Sequence, residues 1–236
     1  RQGIAFSCTF SKETWEAFRY NFNRGQYGKP ELSERQAPFS AQVGMWWLYF
    51  KWQWWRDAHD ETTPVLDRDA HERRHDVQNF IAALFFVLAL AGGAQHYRHD
   101  RRGFWYFGPL MVLMTVVLIY YLNFRYGASQ SPLLTVEREV RDRDYFFLWS
   151  FSAWSVWAAL GLVYLWESVA VLFGSEKVKV GPDTFDLPST RSWLIASPML
   201  LIATVPLFGN WQASSRSGET DTADFADIVL PATTAL

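Results

Sequence analysis

Residues Glu137 to Phe147 read EREVRDRDYFF, three arginines interleaved with acids immediately ahead of a long apolar run. Guanidinium forks bind phosphoryl oxygens in pairs and stay charged at an interface. Arg138, Arg141 and Arg143 are therefore candidates to hold the phosphate or pyrophosphate of a lipid-linked donor. The acids beside them fit a self-neutralising ion-pair network equally well, and both readings stand at this point. Glu167 lies near the end of the same apolar run, where a paired or snorkelling role suits a carboxylate better than a proton relay. A second titratable cluster, His59, His71 and His75 among the acids of residues 57–76, matches no standard metal spacing and reads as a solvated connector. Phosphate loops, HExxH and GxSxG are all absent from the sequence, and the single Cys8 belongs to no zinc motif. No metal site and no resident cofactor is expected.

The elements that must carry these residues are apolar. Phe80 to Gln95, Phe104 to Phe124, Tyr145 to Phe173 and Trp193 to Trp211 contain neither Lys nor Arg. At a rise of about 1.5 Å per residue, about 20 apolar residues cross a hydrocarbon core of about 30 Å. The second and fourth stretches match one crossing, the third must tilt or project, and the first needs Val77, Gln78 and Asn79. The expected fold is all-α, a polytopic bundle of about four transmembrane helices. Mean hydropathy of -0.08 hides this because the charges fall between the stretches and in the first third of the chain. Aromatic residues make up 18% of the chain and many rim the stretches, as rings with an apolar body and a polar tip do at headgroup depth. A net charge of -2 with no basic face argues against nucleic acid as a partner.

Three regions follow. Residues 1–78 read as an external loop region with amphipathic helices. In one of these, Ser11 caps a helix bearing Trp15, Phe18, Tyr20 and Phe22, with Gly25 as its stop. A second, Gln42 to Asp57, is aromatic nearly all round; it is expected at the membrane surface or against the bundle, with Trp46, Trp47, Trp54 and Trp55 as interfacial anchors. Lys51 near its middle and its short length weigh against a fifth crossing. Residues 79–211 hold the four crossings, and 212–236 an external tail. Gly92, Gly93, Ala153, Ala158, Ala159 and Gly161 offer surfaces where helices can approach closely, and Pro198 and Pro206 bend the last crossing. Arg98, Arg101, Arg102, Lys177, Lys179 and Arg191 place loops 97–103 and 174–192 on the cytosolic side by a weak positive-inside bias.

The run from Arg143 to Gly161, RDYFFLWSFSAWSVWAALG, resembles a segment of a widespread bacterial family of multi-spanning proteins related to eukaryotic protein O-mannosyltransferases of the GT-C type. Pieces in matching order are Arg24 to Gly28, Arg35 to Phe39, Tyr49 to Trp54, Tyr121 to Asn123, Gly209 to Trp211, Arg216 to Gly218 and Asp224 to Ala226. The resemblance covers essentially the whole chain, beginning at the middle of the family pattern. It implies an inverting, polyprenyl-phosphate-sugar-dependent glycosyltransferase acting on the outer face of the bacterial inner membrane. Its partners would be the bilayer, a polyprenyl-phosphate-linked sugar and an acceptor protein or glycan, with the large loop and tail in the periplasm. The catalytic acid of such enzymes lies in a first external loop that has no counterpart here, so none is assigned and activity in isolation is not expected. The alternative is a non-catalytic scaffold subunit among other membrane proteins.

Overall fold

The computed structural model describes residues 12–22, 34–56, 68–130, 136–181 and 183–214, apart from the side chains of 68–75, 180, 183 and 212. The expected helix around Trp15 is α1 (Lys12–Phe22), and α2 spans Phe39–Trp54. The long α3 covers Arg68–His99, so the second half of the expected connector is helical rather than loop. Ser11, Gly25, His59, Arg24 to Gly28, and the tail motifs at Arg216 and Asp224 lie outside the described residues.

The second stretch is α4 (Arg101–Val112), a π-helical turn at Leu113–Val117, and α5 (Leu118–Leu122). Asp100 caps α4, its carboxylate accepting the Gly103 N–H at 2.9 Å. A short 3-10 turn, Asp144–Phe147, leads into α6 (Leu148–Leu172). The last stretch comprises α7 (Thr190–Ala196), a 3-10 segment Ser197–Thr204, α8 (Val205–Gly209) and α9 (Trp211–Ser214). Its changes of winding fall where Pro198 and Pro206 sit at helix starts, positions that need no N–H donor.

Asp76–His99, Arg101–Leu122, Asp144–Leu172 and Thr190–Gly209 are long and apolar enough to cross a membrane. Buried share falls from 39% in the first to 17% in the last, leaving rings such as Phe80, Trp149 and Phe208 facing outward. Outward-facing apolar side chains on four long helices need lipid as solvent, and the chain is an integral membrane protein.

One element departs from the all-helical expectation. The segment between the third and fourth spans is an antiparallel hairpin, β1 (Ser175–Val180) with β2 (Asp183–Pro188), where an irregular loop is predicted. Gly181 at φ 66 supplies its left-handed turn residue, and alternation too short to compete with the flanking apolar runs explains why the pattern is inconspicuous in the sequence.

The chain divides into two compact units, the described parts of Arg1–Tyr49 with Asp100–Trp154, and of Phe50–His99 with Ser155–Leu236. In the second unit, α3 and α6 meet through glycines. A Cβ on Gly92 would lie 1.9 Å from the Trp157 carbonyl oxygen, and one on Gly161 1.9 Å from that of Leu88. Only bare backbone permits that approach, as the small-residue pattern predicts. In the first unit, polar groups at membrane depth are satisfied side chain to side chain. Trp46 Nε1 donates to Ser150 Oγ at 3.1 Å, Ser150 shares a hydrogen bond of 2.8 Å with Thr115, and Trp154 Nε1 donates to Thr115 Oγ1 at 3.2 Å.

Candidate functional site

The arginine-rich run ends the connection between the second and third spans, so in the first unit it sits where two membrane-length helices emerge. Its foundation is Asn123. This residue ends α5 in the left-handed conformation, φ 44 and ψ 50, which asparagine tolerates better than other side chains. Fully buried, its side chain closes a ring of amide bonds. Asn123 Nδ2 donates to the Glu34 carbonyl at 2.9 Å, while Oδ1 accepts the Gln36 N–H and Gln42 Nε2, both at 3.1 Å. Gln36 Nε2 donates to the Asn123 carbonyl and Gln42 Nε2 to the Phe124 carbonyl, each at 2.6 Å. Arg35 extends the ring: it donates to the Tyr120 carbonyl at 2.8 Å and to Gln42 Oε1, with its guanidinium 4.5 Å from the Tyr120 ring centroid. Buried amides are stable only when both ends are used, and this arrangement uses both ends of Asn123.

Above this foundation the loop is pinned to α2. Gln130 Nε2 donates to the Ala41 carbonyl at 2.8 Å, and Tyr126 forms an isolated β-bridge with Arg138, the Glu139 N–H donating to the Tyr126 carbonyl at 2.8 Å. Asp142 is a second node: it accepts the Tyr49 hydroxyl at 2.8 Å, the Ser129 N–H at 3.3 Å and the Ser129 hydroxyl. Burial, with Asp142 adding to it, pushes the Tyr49 phenol well above its ordinary value of 10.0. It therefore remains an O–H donor through the whole neutral range.

The three arginines are placed differently. Arg143 pairs with Glu139 at 3.1 Å, lies 5.4 Å from the Phe124 ring centroid, and gives its N–H to the Tyr49 oxygen at 3.3 Å. Its Nε is buried with no hydrogen-bond acceptor among the described residues. Arg138 is half-buried at the isolated bridge to Tyr126, whereas Arg141 is exposed and forms no ion pair among the described residues. The neighbouring Arg125 takes Glu137 at 3.0 Å, and its N–H takes the second oxygen of Glu139 at 3.1 Å. In this loop Arg143 and Arg125 belong to an ion-pair network, and Arg141 forms no ion pair among the described residues.

No protein-family profile matches the chain, and no curated protein or solved structure is significantly similar to it. Function must therefore be read from the residues themselves.

Among the tryptophans expected as interfacial anchors, Trp46 is buried, its ring 6.0 Å from that of Phe151 and 5.9 Å from that of Trp154. Trp54 is buried too, stacked 4.1 Å from Phe85 within the second unit, while Trp47 and Trp55 are half-buried. Trp46 and Trp54 of α2 thus engage protein neighbours, while Trp47 and Trp55 keep part of their surface open. In the second unit Asn210 Nδ2 donates to the Gln53 carbonyl at 2.9 Å, and Gln78 Nε2 to the Trp55 carbonyl at 2.8 Å, capping carbonyls that the end of α2 leaves open. A shallow hollow of about 360 Å³ bordered by Pro206, Leu207, Asn210, Trp211 and Ser214 carries no ionisable side chain. Among the described residues no group of three or more His, Cys, Asp or Glu is placed to hold a metal ion.

Sequence reading picks out the arginines, and Gln36, Tyr49 and Asn123 only as members of resembling motifs; it misses the bracing roles of these three and of Gln42 and Ser129. The available signal is an amide immediately after an apolar run, and amides inside an aromatic one, each a polar group that must find a partner.

Proposed function

We infer that this chain is the membrane segment of a polyprenyl-phosphate-sugar-dependent glycosyltransferase related to protein O-mannosyltransferases, and that the loop ahead of α6 contacts the donor phosphate. The observation that carries this reading is Arg141, an exposed guanidinium that forms no ion pair among the described residues, on a loop braced at the emergence of two membrane-length helices. A phosphate at headgroup depth meets a cation there on a loop backbone braced by the Asn123 and Asp142 nodes, so the ordering cost of binding falls on the Arg141 side chain rather than on the loop. The ordered motif resemblance supplies the reaction class: transfer of a sugar from its polyprenyl phosphate to an acceptor protein or glycan on the periplasmic side of a bacterial inner membrane.

A second reading is a non-catalytic scaffold subunit of a larger membrane complex. It is favoured by the use of Glu139 and Asp142, both committed to bracing the loop. Native mass spectrometry of the chain in detergent with a polyprenyl phosphate separates the two readings. Arg141→Ala is expected to weaken binding about tenfold, the size of one charged hydrogen bond. Undiminished binding by that variant, or no binding by the unaltered chain, leaves the scaffold reading.

A further inference from the structure

The hairpin β1–β2 has two chemically distinct faces. In its register Lys177 faces Asp186 and Lys179 faces Thr184 on one side; on the other Val178 faces Phe185, and Leu187 faces Glu176 at the root. Val178, Phe185 and Leu187 are all exposed, with Phe185 at 48%. A two-stranded hairpin is marginal in water and needs its apolar face covered.

Its position names the cover. The third span ends at Leu172 and β1 begins at Ser175; β2 ends at Pro188 and the fourth span begins at Thr190. The root is clamped at this junction, where Gly174 offers its carbonyl to the Ser189 N–H at 3.2 Å and to the Ser192 hydroxyl at 2.8 Å. Leu172 and Phe173, 83% and 57% exposed, continue the apolar surface of the span towards the hairpin. Strands of this length reach about 20 Å, so a hairpin rooted at headgroup depth can either lie along the bilayer or stand off it.

We propose that the hairpin lies flat on the lipid surface, with Val178, Phe185 and Leu187 at the boundary between headgroups and acyl chains and Lys177 and Lys179 turned to water. It works as a β-structured counterpart of an interfacial amphipathic helix. The partner is the lipid surface itself, through apolar contact that requires no anionic headgroup, since the hairpin's two lysines are offset by Glu176, Asp183 and Asp186.

The test uses the full chain in phosphatidylcholine nanodiscs, with a nitroxide attached at Phe185→Cys, Val178→Cys or Lys177→Cys, each in a Cys8→Ser background. Collision with oxygen, which partitions into lipid, is compared with collision with a water-soluble nickel chelate. The oxygen-to-nickel ratio is expected to be at least about threefold higher at 185 and 178 than at 177. Equal ratios at all three sites overturn the proposal, because the hairpin then projects into water. Shielding of 185 and 178 from both reagents also overturns it, because protein rather than lipid then covers the face.

Discussion

Asn123 and Asn210 each follow the last residue of a membrane-length helix, and each turns its amide onto backbone in or beside α2. Asn123 donates to the Glu34 carbonyl and accepts the Gln36 N–H; Asn210 donates to the Gln53 carbonyl and accepts the Arg56 N–H at 2.6 Å. The surroundings separate them. Asn123 is fully buried, left-handed and surrounded by further amides, whereas Asn210 is half-buried with φ -122 and sits beside a glycine. A Cβ on that glycine, Gly209, would lie 2.5 Å from the Trp55 ring. The first unit thus closes by satisfying buried polar groups, and the second by bringing bare backbone close to its neighbours. An identical side chain carries a different share of stability in each, because an orphaned amide costs most where water cannot replace its partner.

Replacing the fully buried node is the strongest challenge to this contrast. Asn123→Ala is expected to cost about 4 kcal/mol, combining orphaned amides with an alanine forced into the left-handed region. Asn123→Gly, which relieves only the backbone, should recover about 1 kcal/mol of that loss. Both are measured by denaturant titration in mixed micelles. Gly92→Ala comes next, at about 3 kcal/mol, because the added methyl meets a backbone oxygen that no rotamer change can move. Asn210→Ala is expected to cost about 1 kcal/mol, since water reaches the half-buried amide site. A loss equal to that of Asn123→Ala would abolish the distinction between the two units.

The smallest effect concerns Lys51, in the second unit, whose Nζ donates to Asn79 Oδ1 at 2.9 Å. Burial holds its ammonium below the ordinary value of 10.5. Between the folded value and 10.5 the unfolded chain binds more protons, so stability should rise with pH across that window. Lys51→Met should remove this alkaline rise, seen as the difference between the pH profiles of the two proteins.

Much of the architecture was legible. The four spans follow from length and apolarity, and the glycine contact of Gly92 with Gly161 follows from small residues in facing runs. The prolines of the last span mark its changes of winding. The hairpin was not legible, because β1 and β2 alternate over only a few residues between two much stronger signals. Nor was the division of labour among the arginines. Arg138, Arg141 and Arg143 look equivalent in the string, but Arg143 pairs with Glu139 and lies over Phe124, whereas Arg141 forms no ion pair among the described residues.

Apolar length alone decided that this chain enters a bilayer, because the cost of exposing such helices to water grows with every residue along them. Which polar groups brace the loop was decided by contacts between residues as far apart as Gln36 and Asn123. No local pattern encodes such pairings, since a hydrogen bond depends on where the chain returns in space.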